Sequence, residues 1–185
     1  MLPDQFSASW IMYEYPAQYQ PPMESPPVES FKIFGQTYFD ADSKSFTEIY
    51  QNKCIDIFPD GGQYPCQFLS KGNRTWLIRF DQQNPESIKS CEVWPVPEFY
   101  GPQPDFLRNF PTKRSGIFRG HEAQIWLLDI PLPGPFGYMT RPGNDFHPVS
   151  FWFPVIGGWA QQDFYPINKE MIPENVFTLP KQCPK

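Results

Sequence analysis

The sequence predicts an all-β protein with very little helix, and two features of its composition support this. The 185 residues include 18 phenylalanines, 9 tyrosines, 6 tryptophans and 24 prolines. Aromatic side chains favour the pleated, half-buried surface of a strand, whereas a proline inside a helix costs about 3 kcal/mol. Because prolines occur throughout, from Pro3 to Pro184, few windows remain in which a long helix could form.

Length and charge limit the classes of protein that need to be considered. A chain of 185 residues is near the usual size of one domain, so we expect a single domain over residues 1–185. The net charge is −5 and no basic stripe is present, so nucleic acid is not an expected partner. No apolar run approaches the roughly 18 residues of a membrane span, and residues 2–15 do not have the pattern of a signal peptide. We therefore expect no transmembrane segment.

The first half of the chain predicts a series of short strands. A two-residue alternation predicts a first strand with one apolar face, formed by Phe6, Ala8, Trp10 and Met12. The proline-rich residues 16–27 predict an extended loop and a candidate mobile flap. Residues 31–39 and 46–50 flank a polar turn and predict a hairpin. Further strands are expected at residues 54–58, 64–69, 74–81 and 89–94.

The second half is less regular. Residues 95–111 carry many prolines and aromatics, which favours a loop that covers a face or an opening. Strands are expected at residues 117–119, 123–130 and 149–155. In the last of these, one face is expected to carry Val149, Phe151, Phe153 and Val155, with Trp152 on the other.

The cysteines favour disulfide bonds. Cys54, Cys66, Cys91 and Cys183 form an even set without the paired spacing of a zinc site, so no metal site is expected. A local bridge between Cys54 and Cys66 is plausible because we expect them on neighbouring strands. Asn73 begins an Asn-Arg-Thr glycosylation sequon in a glycine-bearing turn. Disulfides and a glycan together favour a secreted, extracellular protein or one in an organelle lumen.

Several short segments resemble the ependymin family and its invertebrate relatives. The segment 173–183 has a Val-Phe pair that leads through a proline to Cys183, and residues 2–6, 38–44, 65–66 and 89–91 resemble other features of the family in the same order. The resemblance implies a secreted, disulfide-bonded half-barrel like that of bacterial lipoprotein carriers, with a pocket for lipid and a possible homodimer. It also implies a Cys91–Cys183 bridge, which leaves Cys54 to pair with Cys66. The usual cysteine near the N-terminus of the family is missing here.

The strands carry large apolar residues on both faces, as expected for a half-barrel or for two packed sheets around an apolar pocket. We expect that the pocket binds a lipid, a fatty acid or a pigment, and that it is lined by Trp10, Trp76, Ile78, Phe80, Trp126, Leu128, Phe151 and Phe153. The same residues could instead fill a closed core. Lys113, Arg114 and Arg119 could hold an anionic head group at the rim, or simply be solvated.

An enzyme is not expected. The sequence lacks a Gly-x-Ser-x-Gly elbow, the cysteines have plausible disulfide partners, and His121 and His147 stand alone. No cofactor is expected beyond a bound lipid or pigment. The alternative function is an extracellular carbohydrate-binding or adhesive matrix module, in which Trp94, Trp152 and Trp159 would be surface platforms that stack on sugar rings.

Overall fold

The computed structural model describes residues 4–55, 62–94, 107, 110–128, 136–143, 147–169 and 172–185. These residues form eleven antiparallel strands of one sheet, so the all-β prediction is confirmed. A short 3-10 helix, Glu174–Phe177, follows the last strand. The strands are β1 Gln5–Pro16, β2 Phe31–Asp40, β3 Ser45–Tyr50, β4 Cys66–Lys71, β5 Arg74–Phe80, β6 Ile88–Val93, β7 Thr112–Phe118, β8 His121–Leu128, β9 Phe136–Thr140, β10 Pro148–Val155 and β11 Gly158–Phe164.

The sheet consists of two meanders joined by the first and last strands. Its order is β6-β5-β4-β3-β2-β1-β11-β10-β9-β8-β7. β1 pairs with β2 along one edge and with β11 along the other, which connects the β1–β6 meander to the β7–β11 meander. The end strands β6 and β7 do not pair with each other, so the sheet is open. The sequence predicted either a half-barrel or two packed sheets. The described strands belong to one open sheet and not to two separate sheets.

One face of the sheet, here called the inner face, carries the largest apolar clusters. The alternation of β1 places Trp10 and Met12 on this face, and the pairing register brings apolar residues of both meanders onto it. One cluster contains Trp10, Met12, Ile33, Tyr50, Phe68, Leu77, Phe153 and Ala160. A second contains Phe6, Ala8, Phe39, Phe46 and Tyr138.

Trp10 lies at the centre of the inner face and depends on a glycine of the neighbouring strand. Its side chain is 1% exposed, and its Nε1 donates a 2.9 Å hydrogen bond to Oγ1 of Thr37. Gly35 is the register partner of Trp10 on β2. A Cβ atom at Gly35 would lie 2.2 Å from the indole ring. Only a residue without a side chain leaves room for Trp10 there.

The opposite, outer face of β4–β6 is covered by the C-terminal segment 172–185. The cluster beneath this segment includes Leu69, Trp76, Ile78 and Cys183, and Phe80 packs against it. The Cys91–Cys183 disulfide, with a Cα–Cα distance of 5.0 Å, attaches the segment to β6. The indole Nε1 of Trp76 donates a 2.8 Å hydrogen bond to the carbonyl oxygen of Pro184. The end of the chain is thus part of the core.

The outer face of the second meander has a separate cluster. It contains Phe118, Ala123, Met139 and Trp152. Val149 packs against this cluster rather than sharing the face of Phe151, so the prediction for Val149 was wrong. The reason is a shift in register between Pro148 and Ser150, where β10 pairs with β9, since a bulge reverses the alternation of side chains.

The proline-rich segment after β1 is held against the outer face. The side chain of Gln161 accepts a 2.7 Å hydrogen bond from the backbone N–H of Met23 and donates a 2.9 Å bond to its carbonyl oxygen. Arg119 Nε donates a 2.6 Å bond to the carbonyl oxygen of Glu24. Because Gln161 alternates with the inner-face residues Ala160 and Gln162, the segment does not cover the inner face.

Some sequence predictions of strands need correction. Strands β9 and β11 were not predicted. Cys54 and Ile55 lie outside any strand, although Cys54 still bonds to Cys66, with a Cα–Cα distance of 5.3 Å. The rest of the predicted strand at 56–58, and most of the predicted cover loop at 95–111, lie outside the described residues. In the described part of the chain, no helix has the length and apolar character of a membrane span.

Candidate functional site

The inner face encloses a cavity of about 250 Å³ between the two meanders. Its volume is slightly below the range of roughly 300–1,000 Å³ usual for sites that bind drug-sized ligands. Strands β3 and β4 contribute to one wall, and β9, β10 and β11 contribute to the other. The described residues that line it are Glu48, Tyr50, Ile55, Phe68, Trp94, Phe136, Phe151, Phe153, Pro154 and Gln162.

Aromatic rings pack against one another within each wall. Phe151 and Phe153 alternate onto the same face of β10, with ring centroids 5.0 Å apart, and Phe136 on β9 stacks beside them at 6.1 and 6.3 Å. On the opposite wall, Phe68 meets Trp94 edge to face at 5.6 Å. These contacts between neighbouring rings give the described cavity walls a mainly aromatic, closely packed surface.

A carboxylate stands among these rings. Glu48 lies between Phe46 and Tyr50 on the inner face of β3. Its carboxylate accepts hydrogen bonds of 3.1 Å from the hydroxyl of Tyr50, 3.4 Å from Oγ1 of Thr37 and 3.5 Å from Nε2 of Gln162. The last contact joins the two meanders across the inner face, because Gln162 belongs to β11.

The surroundings of Glu48 disfavour its charge. Burial raises the pKa of Glu48, and the hydrogen bonds from Tyr50, Gln162 and Thr37 offset this in part. None of the lysines and arginines that the structure describes forms an ion pair with it. Burial and the nearby Glu48 charge also raise the pKa values of Tyr50 and Tyr138, so both phenols are neutral at physiological pH.

The predicted pocket residues fall into three groups. Phe151 and Phe153 line the cavity. Trp10 lies on the same face beside it, with its ring centroid 5.0 Å from that of Tyr50, and the register of β8 puts Trp126 and Leu128 on that face outside the described lining. The remaining three residues, Trp76, Ile78 and Phe80, were assigned to the wrong face.

The error on β5 has a physical reason. This strand buries residues on both faces, with Leu77 toward the inner cluster and Trp76 and Ile78 toward the outer one. An alternating pattern identifies the two sets but does not say which set faces the cavity. The covering of the outer set by the C-terminal segment decides this, and that contact is remote in sequence.

Eight of the described lining residues were not predicted, and Glu48 is the most informative of them. An acidic residue at the centre of Phe46-x-Glu48-x-Tyr50 occupies an apolar face of the predicted hairpin. A charged residue on such a face is rarely buried without a reason. This local pattern was the one available signal for the polar part of the site.

The basic residues proposed for the rim are not part of the described lining. Lys113 lies over the ring of Trp126, 4.5 Å from its centroid. Arg119 pairs with Asp163 at 2.6 Å on the outer face, and Arg114 is exposed on β7. Nothing in this arrangement brings a described cation to the cavity.

The tryptophans proposed as sugar platforms do not form an exposed row. Trp152 is 2% exposed and packs in the outer-face cluster of the second meander. Trp94 lines the cavity, and Trp159 is half-buried.

The cysteine pairing is confirmed. Cys54 bonds to Cys66 and Cys91 bonds to Cys183, so no free thiol remains. His121 and His147 are both exposed. Within the described ranges, no group of three or more histidine, cysteine, aspartate or glutamate residues is placed to hold a metal ion.

Comparison with known proteins adds a likeness of fold. The sequence matches no protein-family model and no curated protein. The fold is similar to that of an uncharacterized conserved protein from Thermus thermophilus, with a TM-score of 0.54 and 10% sequence identity. That similarity covers 97% of this chain and 90% of the other. At this identity the comparison concerns the open antiparallel sheet and not the residues of the site.

Proposed function

We propose that this protein is a secreted, non-catalytic binding protein that holds a small hydrophobic ligand in the inner-face cavity. The observation that supports this best is the composition of the described lining, in which aromatic and aliphatic side chains surround two residues with carboxylate or amide side chains, Glu48 and Gln162. Concave apolar sites of this kind bind by burying ligand surface, with each buried methylene contributing about 0.8 kcal/mol.

The non-catalytic part of the proposal is supported by the state of the usual reactive groups. All four cysteines are in disulfides, so none is available as a thiolate nucleophile. Both histidines are exposed and away from the described lining. The described part of the cavity therefore holds no pair of a nucleophile and a base of the kind that acyl transfer requires.

Secretion is supported by the two disulfides, which persist in oxidising compartments. Asn73 is exposed in the turn between β4 and β5, as an attached glycan requires. The resemblance to ependymin-like proteins points the same way and adds a homodimer to the proposal. Peptide mapping of Asn73 and light scattering of the purified protein test these two parts.

Calorimetric titration with 2-phenylethanol, a compact neutral probe, tests the proposed function. We expect saturable binding at one ligand per chain with a negative heat-capacity change, the signature of apolar burial. The variant Trp94→Ala should weaken binding because it removes part of the wall, whereas Trp159→Ala removes a half-buried indole outside the described lining and should leave binding unchanged. Absence of saturable binding, or equal losses in the two variants, would count against the proposal.

A further inference from the structure

The described lining of the cavity contains one carboxylic acid and no basic side chain. Glu48 is this carboxylic acid. Tyr50 also lines the cavity, but its phenol stays neutral at physiological pH because burial raises its pKa. A carboxylate in apolar surroundings is costly unless a counter-charge or strong hydrogen bonds stabilise it.

The hydrogen bonds that Glu48 receives are long. O–H···O bonds have typical lengths of about 2.7–2.8 Å and N–H···O bonds about 2.9–3.0 Å, whereas the three donors to Glu48 lie at 3.1, 3.4 and 3.5 Å. A carboxylate has about four lone-pair sites. Three long bonds occupy at most three of these sites, so the carboxylate, which lines the cavity, keeps acceptor capacity for a ligand.

The aromatic walls of the cavity, like the Glu48 carboxylate, attract positive charge. The faces of Phe, Tyr and Trp rings carry negative charge density and attract cations within about 6 Å of a ring centroid. Phe136, Phe151 and Phe153 form one wall, and Tyr50, Phe68 and Trp94 form the other, with Glu48 between them on β3. Both the carboxylate and the rings therefore favour a positively charged group.

We propose that the ligand of this cavity is a compact hydrophobic molecule with an organic ammonium group, which binds to the Glu48 carboxylate while its apolar body lies between the aromatic walls. This inference rests on the proposed function and narrows its ligand class. It disfavours a fatty acid, which would bring a second carboxylate next to Glu48 with no described cation between them. The cavity volume of about 250 Å³ also favours a compact ligand over a long acyl chain.

Affinities for three matched probes test the inference without a mutation. The compounds 2-phenylethylamine, 2-phenylethanol and 3-phenylpropanoate share a phenyl ring and a two-carbon linker and differ in the charge of the end group. A hydrogen bond between charged partners predicts that the amine binds about ten- to a hundred-fold more tightly than the alcohol. The carboxylate should bind more weakly than the alcohol.

The variant Glu48→Gln separates the charge from the shape of the site. We expect it to lose the preference for the amine, so that the ratio of the affinities for 2-phenylethylamine and 2-phenylethanol falls to about one. A cooperative urea unfolding transition shows that the variant is folded. Arg108 is the one lysine or arginine of the sequence outside the described residues, so Arg108→Gln is the control for an internal counter-ion. Its affinity for the amine should equal that of wild type.

The affinity for the amine should also rise with pH until Glu48 is ionised. Among the described residues, the titratable side chains that interact with Glu48 are Tyr50 on β3 and Tyr138 on β9, both neutral in this range. The charge of Glu14, which is paired with Lys53, also acts on Tyr50. Thr37 and Gln162 do not titrate. The pH dependence of amine binding therefore reports on Glu48, and it should be absent in Glu48→Gln.

The outcomes distinguish the two proposals. If none of the three probes binds, the proposed function fails and the inference fails with it. If all three bind but the carboxylate matches the amine, or if Glu48→Gln keeps the preference for the amine, the inference is overturned and the proposed function stands. A gain in amine affinity in Arg108→Gln would also overturn it, because the counter-charge would then belong to the protein.

Discussion

The hydroxyl of Tyr50 donates a 3.1 Å hydrogen bond to the carboxylate of Glu48, two residues earlier on the inner face of β3. The ring of Tyr50 packs on Trp10 and Phe68, with centroids 5.0 and 6.0 Å away, so its hydroxyl is fixed in position by the apolar core. The polar part of the site is thus supported by the same residues that stabilise the sheet.

The variant Glu48→Gln is expected to change the pH dependence of stability. Burial raises the pKa of Glu48 above its ordinary value of 4.5, so the folded state binds this proton more tightly than the unfolded state does. The stability that this tighter proton binding contributes is complete below the ordinary pKa of Glu48, and it is lost as pH rises through the folded-state pKa. Glutamine cannot ionise, so the free energy of unfolding of the variant should exceed that of wild type by about 1 kcal/mol or more near pH 8. Near pH 4 the two free energies should be equal.

Urea unfolding at several pH values measures this difference. Glu122→Gln is the matched control, because it removes a carboxylate from an exposed position on β8 rather than from the buried inner face. A difference between Glu48→Gln and wild type that stays constant with pH would show that Glu48 is not the group responsible.

The variant Gly35→Ala should be strongly destabilised. The added Cβ would lie 2.2 Å from the indole of Trp10 and 2.4 Å from the carbonyl oxygen of Ile49, and forcing atoms into a packed core costs about 1–3 kcal/mol or more. Gly116→Ala is the control, since its Cβ would meet nothing closer than Ile125 at 3.8 Å. Denaturant unfolding should give a much lower free energy of unfolding for Gly35→Ala than for Gly116→Ala. Equal values would refute the packing described for Trp10.

Removing the Cys91–Cys183 bridge should cost more stability than removing the Cys54–Cys66 bridge. The first spans 92 residues and the second 12, and chain entropy predicts losses of about 4–5 and 3 kcal/mol respectively. Double Cys→Ser variants at each pair, compared by thermal unfolding under oxidising conditions, test this order. The loss of the first bridge should also expose Trp76 to solvent, which its fluorescence would report. An unchanged melting temperature without the first bridge would contradict the role given to segment 172–185.

The ion pair between Lys53 and Glu14 is the described salt bridge that is most buried, with side chains 6% and 10% exposed. Removing one member leaves an uncompensated charge, so Lys53→Met should lower stability by about 3–5 kcal/mol. The double variant Lys53→Met with Glu14→Leu should recover most of this loss, because apolar residues of similar size often replace a buried pair at little cost. A double-mutant cycle measured by denaturant unfolding shows whether the two effects are coupled, and additive losses would refute the pairing.

Local sequence patterns were sufficient for part of the fold. The alternation of Phe6, Ala8, Trp10 and Met12 predicted β1, and two apolar runs around a polar turn predicted the β2–β3 hairpin. Strand β11 escaped prediction because Gln161 and Gln162, polar by sequence, are both buried at its centre. Besides a bond from Gln161 to Asp163 on the same strand, they form long-range hydrogen bonds with Tyr15, Met23 and Glu48, and no local pattern contains these partners.

The site was less predictable than the fold. The sequence indicated that aromatic residues would line a cavity but could not assign the faces of β5, because that depends on where residues 172–185 pack. The contact between Glu48 and Gln162 joins residues 114 positions apart. This contact depends on the pairing of β1 with β11, the first and last strands of the chain, which joins the two meanders.

Native mass spectrometry of the purified, folded protein tests the central claim most directly. Our account predicts that one small hydrophobic molecule remains bound per chain, or is taken up from a mixture of 2-phenylethylamine, 2-phenylethanol and 3-phenylpropanoate, and that organic extraction releases it. A mass that equals the unliganded chain before and after incubation with these probes would contradict the assignment of the cavity as a ligand site.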